Sequence, residues 1–307
     1  MRIHHHIVSY SESNCKSFAP LLALLLSANS FLYAQSSKVS IDLKGGLTFA
    51  TMTGPSEKVG SSRILEEFSY VAALHAGGGI HVELSNYTGL QIELLFNQKG
   101  THYSYSGQSY WLFSTLSGEK LFSFGTRKME LSIITSYLEL PMLYTVRIRR
   151  VEMYAGLGMG LLVRAHGKGE LLYSGLTETG SSVFPFKAKL DFDYMRDPLD
   201  RVSDPENFYR TIDGEEVEIP RMLDTYYETS GIHTRYFKRL DAEVIGGVSF
   251  FLNETLFLDL RFNYGIGDIT NNRQDVSRTQ VDENRMPVTR NDYDRNFAFL
   301  TSVGLRF

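Results

Sequence analysis

Residues 297–307 constrain this chain more than any other stretch. Phe297, Phe299, Thr301, Val303, Leu305 and Phe307 fall on one face of an extended strand, and Ala298, Leu300, Ser302, Gly304 and Arg306 fall on the other. The first face is almost wholly apolar; the second is small, polar or charged apart from Leu300. Chain ends usually fray into solvent as polar tails. An end that stops on an apolar-face Phe is therefore expected to be structural, a strand needing an apolar partner along its whole length.

The same alternation recurs upstream. Val39, Ile41, Leu43, Leu47 and Phe49 alternate with Ser40, Asp42, Lys44, Gly46 and Thr48; Leu256, Leu258, Leu260, Phe262 and Tyr264 alternate with Asp259, Arg261, Asn263 and Gly265. Applied throughout, the pattern predicts strands near 38–53, 69–85, 88–104, 129–147, 150–166, 239–252, 255–268 and 294–307. Their connections alternate. Short links fall near 85–88, 148–150 and 253–254, and long ones at 54–68, 104–128, 167–238 and 268–293. An even number of strands, each long enough to cross a bilayer and with all short links on one side, predicts an all-β fold. Specifically, it predicts an eight-stranded antiparallel up-and-down transmembrane β-barrel with long extracellular loops.

The first residues read as a leader. Arg2 and Lys16 precede an apolar run over 18–26 that is too short to span a bilayer as a helix, and Ala34 offers a small residue before Gln35. Residues 1–34 are thus expected to be a signal peptide and 35–307 the barrel domain. Cys15 lies ahead of the apolar run and would leave with the leader, so disulfides and thiol chemistry are excluded from the mature chain. Cleavage moves the net charge from −4 to −5, against nucleic-acid binding.

In lipid, an open sheet edge is prohibitive and the outer face must be apolar. The inward faces must then hold eight acids and six bases: Asp42, Lys44, Glu83, Glu93, Lys99, Glu139, Arg147, Glu152, Arg164, Asp241, Glu243, Asp259, Arg261 and Arg306. Mixed signs in so narrow a lumen predict a self-neutralising network. A barrel of eight strands is filled by its own side chains, which argues against a wide pore.

Residues 89–100 (GLQIELLFNQKG) and 137–144 (YLELPMLY) resemble the two hallmark strands of the PorT-like outer-membrane β-barrel family. Residues 44–49 (KGGLTF), 154–158 (YAGLG) and 264–269 (YGIGDI) match it in the same order. The resemblance covers the eight strands and not the 167–238 insertion. It implies a monomeric barrel in the bacterial outer membrane, with one branch of the family serving type IX secretion and gliding, and it brings no catalytic residues. The last strand likewise resembles closing strands whose terminal aromatic is read by the barrel-assembly machinery, so losing Phe307 is expected to impair assembly.

Candidate chemistry is sparse. His75, His81 and His166 are expected to face the lumen, but a six-residue gap between the first two fits no zinc motif. Ser249 and Glu243 share that facing, which alone does not make a hydrolase triad. The acidic run Asp191, Asp193, Asp197, Asp200, Asp204 and Glu206 lacks the EF-hand glycine and reads as a solvated loop. No catalytic, cofactor-binding or metal site is therefore expected. Residues 167–238 carry fourteen acids and nine bases, yet also many aromatics, among them Phe186, Tyr194, Tyr226 and Tyr236. That composition predicts an ordered segment packed over the barrel mouth or extending its strands. The expected role is a non-enzymatic structural or interaction component of the envelope. Its partners would be outer-membrane lipid, the assembly machinery and envelope or secretion-machinery proteins; a small porin-like channel or a ligand-binding barrel is the alternative.

Overall fold

In a computed structural model the protein is all-β, and the structure describes residues 39–59, 63–200 and 207–307. The expected signal peptide and Cys15 lie outside the described residues. In order, the strands begin with β1 (Val39–Thr53), β2 (Lys58–Val59), β3 (Arg63–Ile64), β4 (Glu66–Ser69) and β5 (Val71–Glu83). Three long strands follow, β6 (Thr88–Ser114), β7 (Lys120–Ile148) and β8 (Val151–Thr177). Next come β9 (Ser182–Asp193), β10 (Phe208–Ile212), β11 (Glu215–Ile219), β12 (Met222–Leu223), β13 (Leu240–Phe251) and β14 (Leu256–Gly265). The chain finishes with β15 (Val276–Val281), β16 (Pro287–Thr289) and β17 (Arg295–Arg306).

Eight of these strands close a ring. β1 pairs antiparallel with β5 on one side and β17 on the other, so Leu43 meets Leu305 and Phe49 meets Phe299. The circuit runs through β6, β7, β8, β13 and β14 back to β17. Closure leaves no free edge in the ring, the condition a membrane imposes on any sheet. At one end the links are tight: Arg149 adopts φ 57° between β7 and β8, and Asn253 Oδ1 accepts the amides of Thr255 and Leu256 between β13 and β14. The outer face of the ring is a belt of exposed Leu, Ile, Val, Met and Phe, including Leu74, Leu94, Leu140, Leu157, Val244 and Val303.

Above the belt the polarity of the strands inverts. On β6 the outward residues pass from Leu90, Ile92, Leu94 and Phe96 to Gln98, His102, Ser104, Ser106 and Gln108, while the inward ones pass from Gln91, Glu93, Asn97 and Lys99 to Tyr103, Tyr105, Trp111 and Phe113. Lipid demands apolar outside, and water demands it inside; one strand satisfies both by changing residue type and not direction. Gly100, at φ +146°, sits at the crossover, where a Cβ would collide with the Ile133 carbonyl. On β8 the same transition uses a bulge. Ser136 pairs with Arg164 but Tyr137 with Leu162, so Val163 is the extra residue and the facing flips from even to odd numbers.

The inversion revises several sequence-based boundaries. The strands expected at 88–104, 129–147 and 150–166 run on to Ser114, start back at Lys120 and continue to Thr177. Residues 104–128 are therefore not a loop but a hairpin closed by a tight turn at Gly118 (φ +86°), with a matching turn at Gly180 (φ +88°) between β8 and β9. Arg164 and His166 do not face the lumen: the bulge turns Arg164 outward and leaves His166 beside Asp191, 3.2 Å away. Glu83 and Arg147 stand at the short-turn rim instead of inside, and the guanidinium of Arg147 lies 3.8 Å from the centre of the Phe251 ring.

The extended parts of β6, β7 and β8, with β4 and β9 added at their sides, form a sheet above the belt. Described residues of the 194–200, 207–239 and 267–294 stretches pack against this sheet, among them Tyr194, Ile212, Val217, Phe237 and Ile269. Between them lies an apolar core. Trp111 packs edge-on to Phe186 at 5.1 Å and tilted to Tyr173 at 5.5 Å, and Tyr194 packs against Phe237 at 4.9 Å. The described residues of the insertion, 167–200 and 207–238, thus contribute to a packed cap.

Candidate functional site

The lumen is filled by three tiers of ion pairs. Nearest the short turns, Arg306 holds Asp42 through two contacts of 2.7 Å and Glu152 at 2.7 and 3.0 Å, with the Phe251 and Phe257 rings beside its guanidinium. In the middle, Lys44 and Arg261 both contact Glu93 at 2.8 Å, and Asp259 accepts from Tyr154 and Ser249 at 2.7 Å each. Gly247 is required here, because a Cβ would occupy the position of the Tyr154 phenol. In the top tier Lys99 lies 2.7 Å from Glu139, 2.7 Å from Glu243 and 3.5 Å from Asp241. Eleven of the fourteen charges expected inward are buried. Charge of mixed sign taken out of water must be paired to be tolerated, and each tier meets that condition with ladders from strands distant in sequence.

The histidines do not form a site with the serine and the acid proposed for them. His75 is buried, 3.0 Å from Thr48 Oγ1 and 2.7 Å from Ser302 Oγ. His81 meets Thr145 Oγ1 at 3.0 Å. Ser249 donates to Asp259, and Glu243 is engaged by Lys99 and Asn263, so no Ser, His and acid converge. The acidic run serves turns: Asp193 Oδ1 accepts the amides of Met195 and Arg196, and Asp197 Oδ2 accepts those of Asp193 and Thr225. Asp204 and Glu206 lie outside the described residues.

Two charged clusters that the sequence reading missed are in the cap. Glu228 is gripped by Arg127, at 2.6 and 3.1 Å, and by Arg278 at 2.6 Å, while the Arg127 guanidinium lies 5.1 Å from the centre of the Trp111 ring. Burial pushes the Glu228 carboxyl up, but the two guanidiniums outweigh it and hold the group at about 2. The second cluster is Asp275, Asp292 and Asp294, which bring one carboxylate oxygen each within 4.8 Å of one another. Burial and the neighbouring Asp292 push Asp275 up to about 8 and Asp294 to about 6. Asp275 and Asp294 also line a cavity of about 90 Å³ roofed by cap aromatics including Tyr103, Tyr194 and Tyr236. The spacing of Asp292 and Asp294, two apart and hence on one face of an extended segment, was the available signal.

Residues 33–271 match the family model described as "Outer membrane protein beta-barrel domain". The chain belongs to that family. This outer-membrane β-barrel protein is accordingly a bacterial outer-membrane protein, its short turns periplasmic and its cap extracellular. No curated protein matches the sequence. Among solved structures it is similar to Ail, the attachment invasion locus protein of Yersinia pestis, at 10% identity and a TM-score of 0.33, covering 88% of this chain and 99% of that one. Neisserial surface protein A is similar at 11% identity and a TM-score of 0.30, over 88% and 98% of the two chains. OprG from Pseudomonas aeruginosa is similar at 10% identity and a TM-score of 0.29, over 87% and 95%.

Proposed function

We propose that this outer-membrane β-barrel is a non-enzymatic envelope component that acts through the outer surface of its cap, with the barrel serving as a closed anchor. One observation carries the reading: the lumen is crossed by direct ion pairs at three levels and then roofed by an aromatic core. A conducting pore needs a continuous wet path with sites weak enough to release an ion. Carboxylates and ammonium groups at 2.7 to 2.8 Å leave no such path through their own tier. A small porin-like channel or a ligand-binding barrel is the reading this argues against.

The finer role proposed is a place in a type IX secretion or gliding-type machine, supported by the likeness of residues 89–100 and 137–144 to PorT-like strands. During biogenesis the partner would be the barrel-assembly machinery, reading β17, and in the finished membrane lipid at the belt and envelope proteins at the cap. Purified protein reconstituted in planar bilayers is expected to give no steady conductance above the bare membrane. Cross-linking from native membranes is expected to recover envelope proteins attached through cap residues. Stable open steps in the bilayer would replace the anchor reading with transport.

A further inference from the structure

We infer that Asp275, Asp292 and Asp294 form a binding site for one hard divalent cation, Ca²⁺, which ties the two ends of the 267–294 segment to each other just ahead of β17. The proposal rests first on geometry. Three carboxylates from two stretches of the same long connection bring ligand oxygens within 4.8 Å of one another, the arrangement expected of oxygen ligands gathered around one ion. Asp275 stands 17 and 19 residues ahead of Asp292 and Asp294, which are two apart, so this is not a continuous acidic run folded on itself.

The second observation is an orphaned oxygen. The Asp292 side chain is only 7% exposed; its Oδ2 accepts from Arg290 at 2.6 Å, while its Oδ1 is buried and meets no N–H or hydroxyl donor, the Asp275 carboxyl being the group left to share a proton with Asp292. A buried carboxylate oxygen without a donor costs free energy unless something positive meets it. The surrounding cations do not suffice. Arg290 also contacts Glu66 at 2.9 Å and stands 4.0 Å from Asp275, so one guanidinium serves several carboxylates. Lys238 is taken by Asp268, at 2.6 Å, and Asp268 Oδ1 in turn accepts the Asp294 amide. Thr270 Oγ1 donates to Asp294 Oδ2 at 2.9 Å, which positions that carboxylate without neutralising it.

The third is space. The cavity beneath Asp275 and Asp294, about 90 Å³, is large enough for the waters that complete the six to eight ligands Ca²⁺ takes. Oxygen-only donors select a hard ion over zinc or copper, and three carboxylates with loop flexibility suit Ca²⁺ better than the strict octahedron of Mg²⁺. The site faces the outside of the cell. A dissociation constant on the order of 10⁻⁴ to 10⁻³ M, as extracellular modules have, is expected.

The test uses the full mature protein folded in detergent free of lipopolysaccharide, stripped with EDTA and titrated with CaCl₂ by calorimetry. Folding is verified in every sample by the heat-dependent shift on gels. Wild type should take up one equivalent, and Asp292→Asn and Asp275→Asn should each weaken uptake at least tenfold while the gel shift persists. EDTA should also speed proteolysis within 267–294 in wild type and not in Asp292→Asn. Folded wild-type protein that takes up no Ca²⁺ at 10-fold the upper end of that range would show that a shared proton or Arg290 alone satisfies the cluster, and would overturn the site. Uptake unchanged in both variants would overturn it equally. A titration with MgCl₂ that matches CaCl₂ in affinity would overturn the assignment to Ca²⁺.

Discussion

At the residue scale the cap turns on Glu228. Its carboxyl joins Arg127 of β7 to Arg278 of β15, and Arg127 in turn lies beside Trp111, so one ionisation state holds three segments together. The folded group is held at about 2 against an ordinary 4.5, and a depressed acid contributes stability that is complete above its unfolded value and lost as pH falls toward the folded one. Acidification from about 4.5 toward 2 should therefore loosen the cap, read as a red shift of Trp111 emission. Glu228→Gln should lose that acid-induced step. Glu228→Ala, which leaves two guanidiniums without their shared carboxylate, should cost on the order of 3 kcal/mol of cap stability.

At the scale of the element, β6 shows what a sequence discloses and what it hides. The belt portions of all eight strands were legible because lipid forces one sign of alternation: Leu90, Ile92, Leu94 and Phe96 out, Gln91 and Glu93 in. Past Gly100 the same alternation continues with its sign reversed, Tyr103 and Tyr105 in, Ser104 and Ser106 out. A search for apolar residues on the lipid face stops there and reports a loop. The paired turns at Thr115–Gly118 and Thr177–Gly180 were visible as Thr-x-Ser-Gly and Thr-x-Thr-Gly, each closed by an amide of Gly bonded to a Thr carbonyl. The β8 bulge was not, since an inserted Val163 in an apolar run carries no local mark. Lumenal pairing followed from facing alone, but the Asp275 cluster needed the fold of the 267–294 segment. Because ring closure depends on belt pairing only, replacing residues 104–130 with a short turn should leave a barrel that still shifts on heating. The remaining cap should then lose its resistance to protease.

For the molecule as a whole, two cores with opposite polarity share the same strands. The barrel is held by a closed ladder around a charged lumen, and the cap by apolar burial of the kind any water-soluble domain uses. Two cores of different origin need not fail together. The chain has one tryptophan, Trp111, 2% exposed and within the cap, so its fluorescence reports that core alone. In urea, Trp111 emission should shift at a lower concentration than the one that abolishes the heat-dependent gel shift. Coincident transitions would mean the cap and barrel behave as one cooperative unit.

The lengthened strands also give the molecule reach. From Gly100 to Ser114, β6 rises roughly 40 to 50 Å along its own direction above the belt. Its tip places Leu116 in solvent, and the neighbouring β8–β9 hairpin does the same with Leu176 and Phe184, the last 75% exposed. Above the belt, where the outward residues of β6 are polar, these side chains return apolar surface to solvent. A partner arriving at those two hairpin tips would meet apolar surface that the outer face of β6 above the belt does not offer.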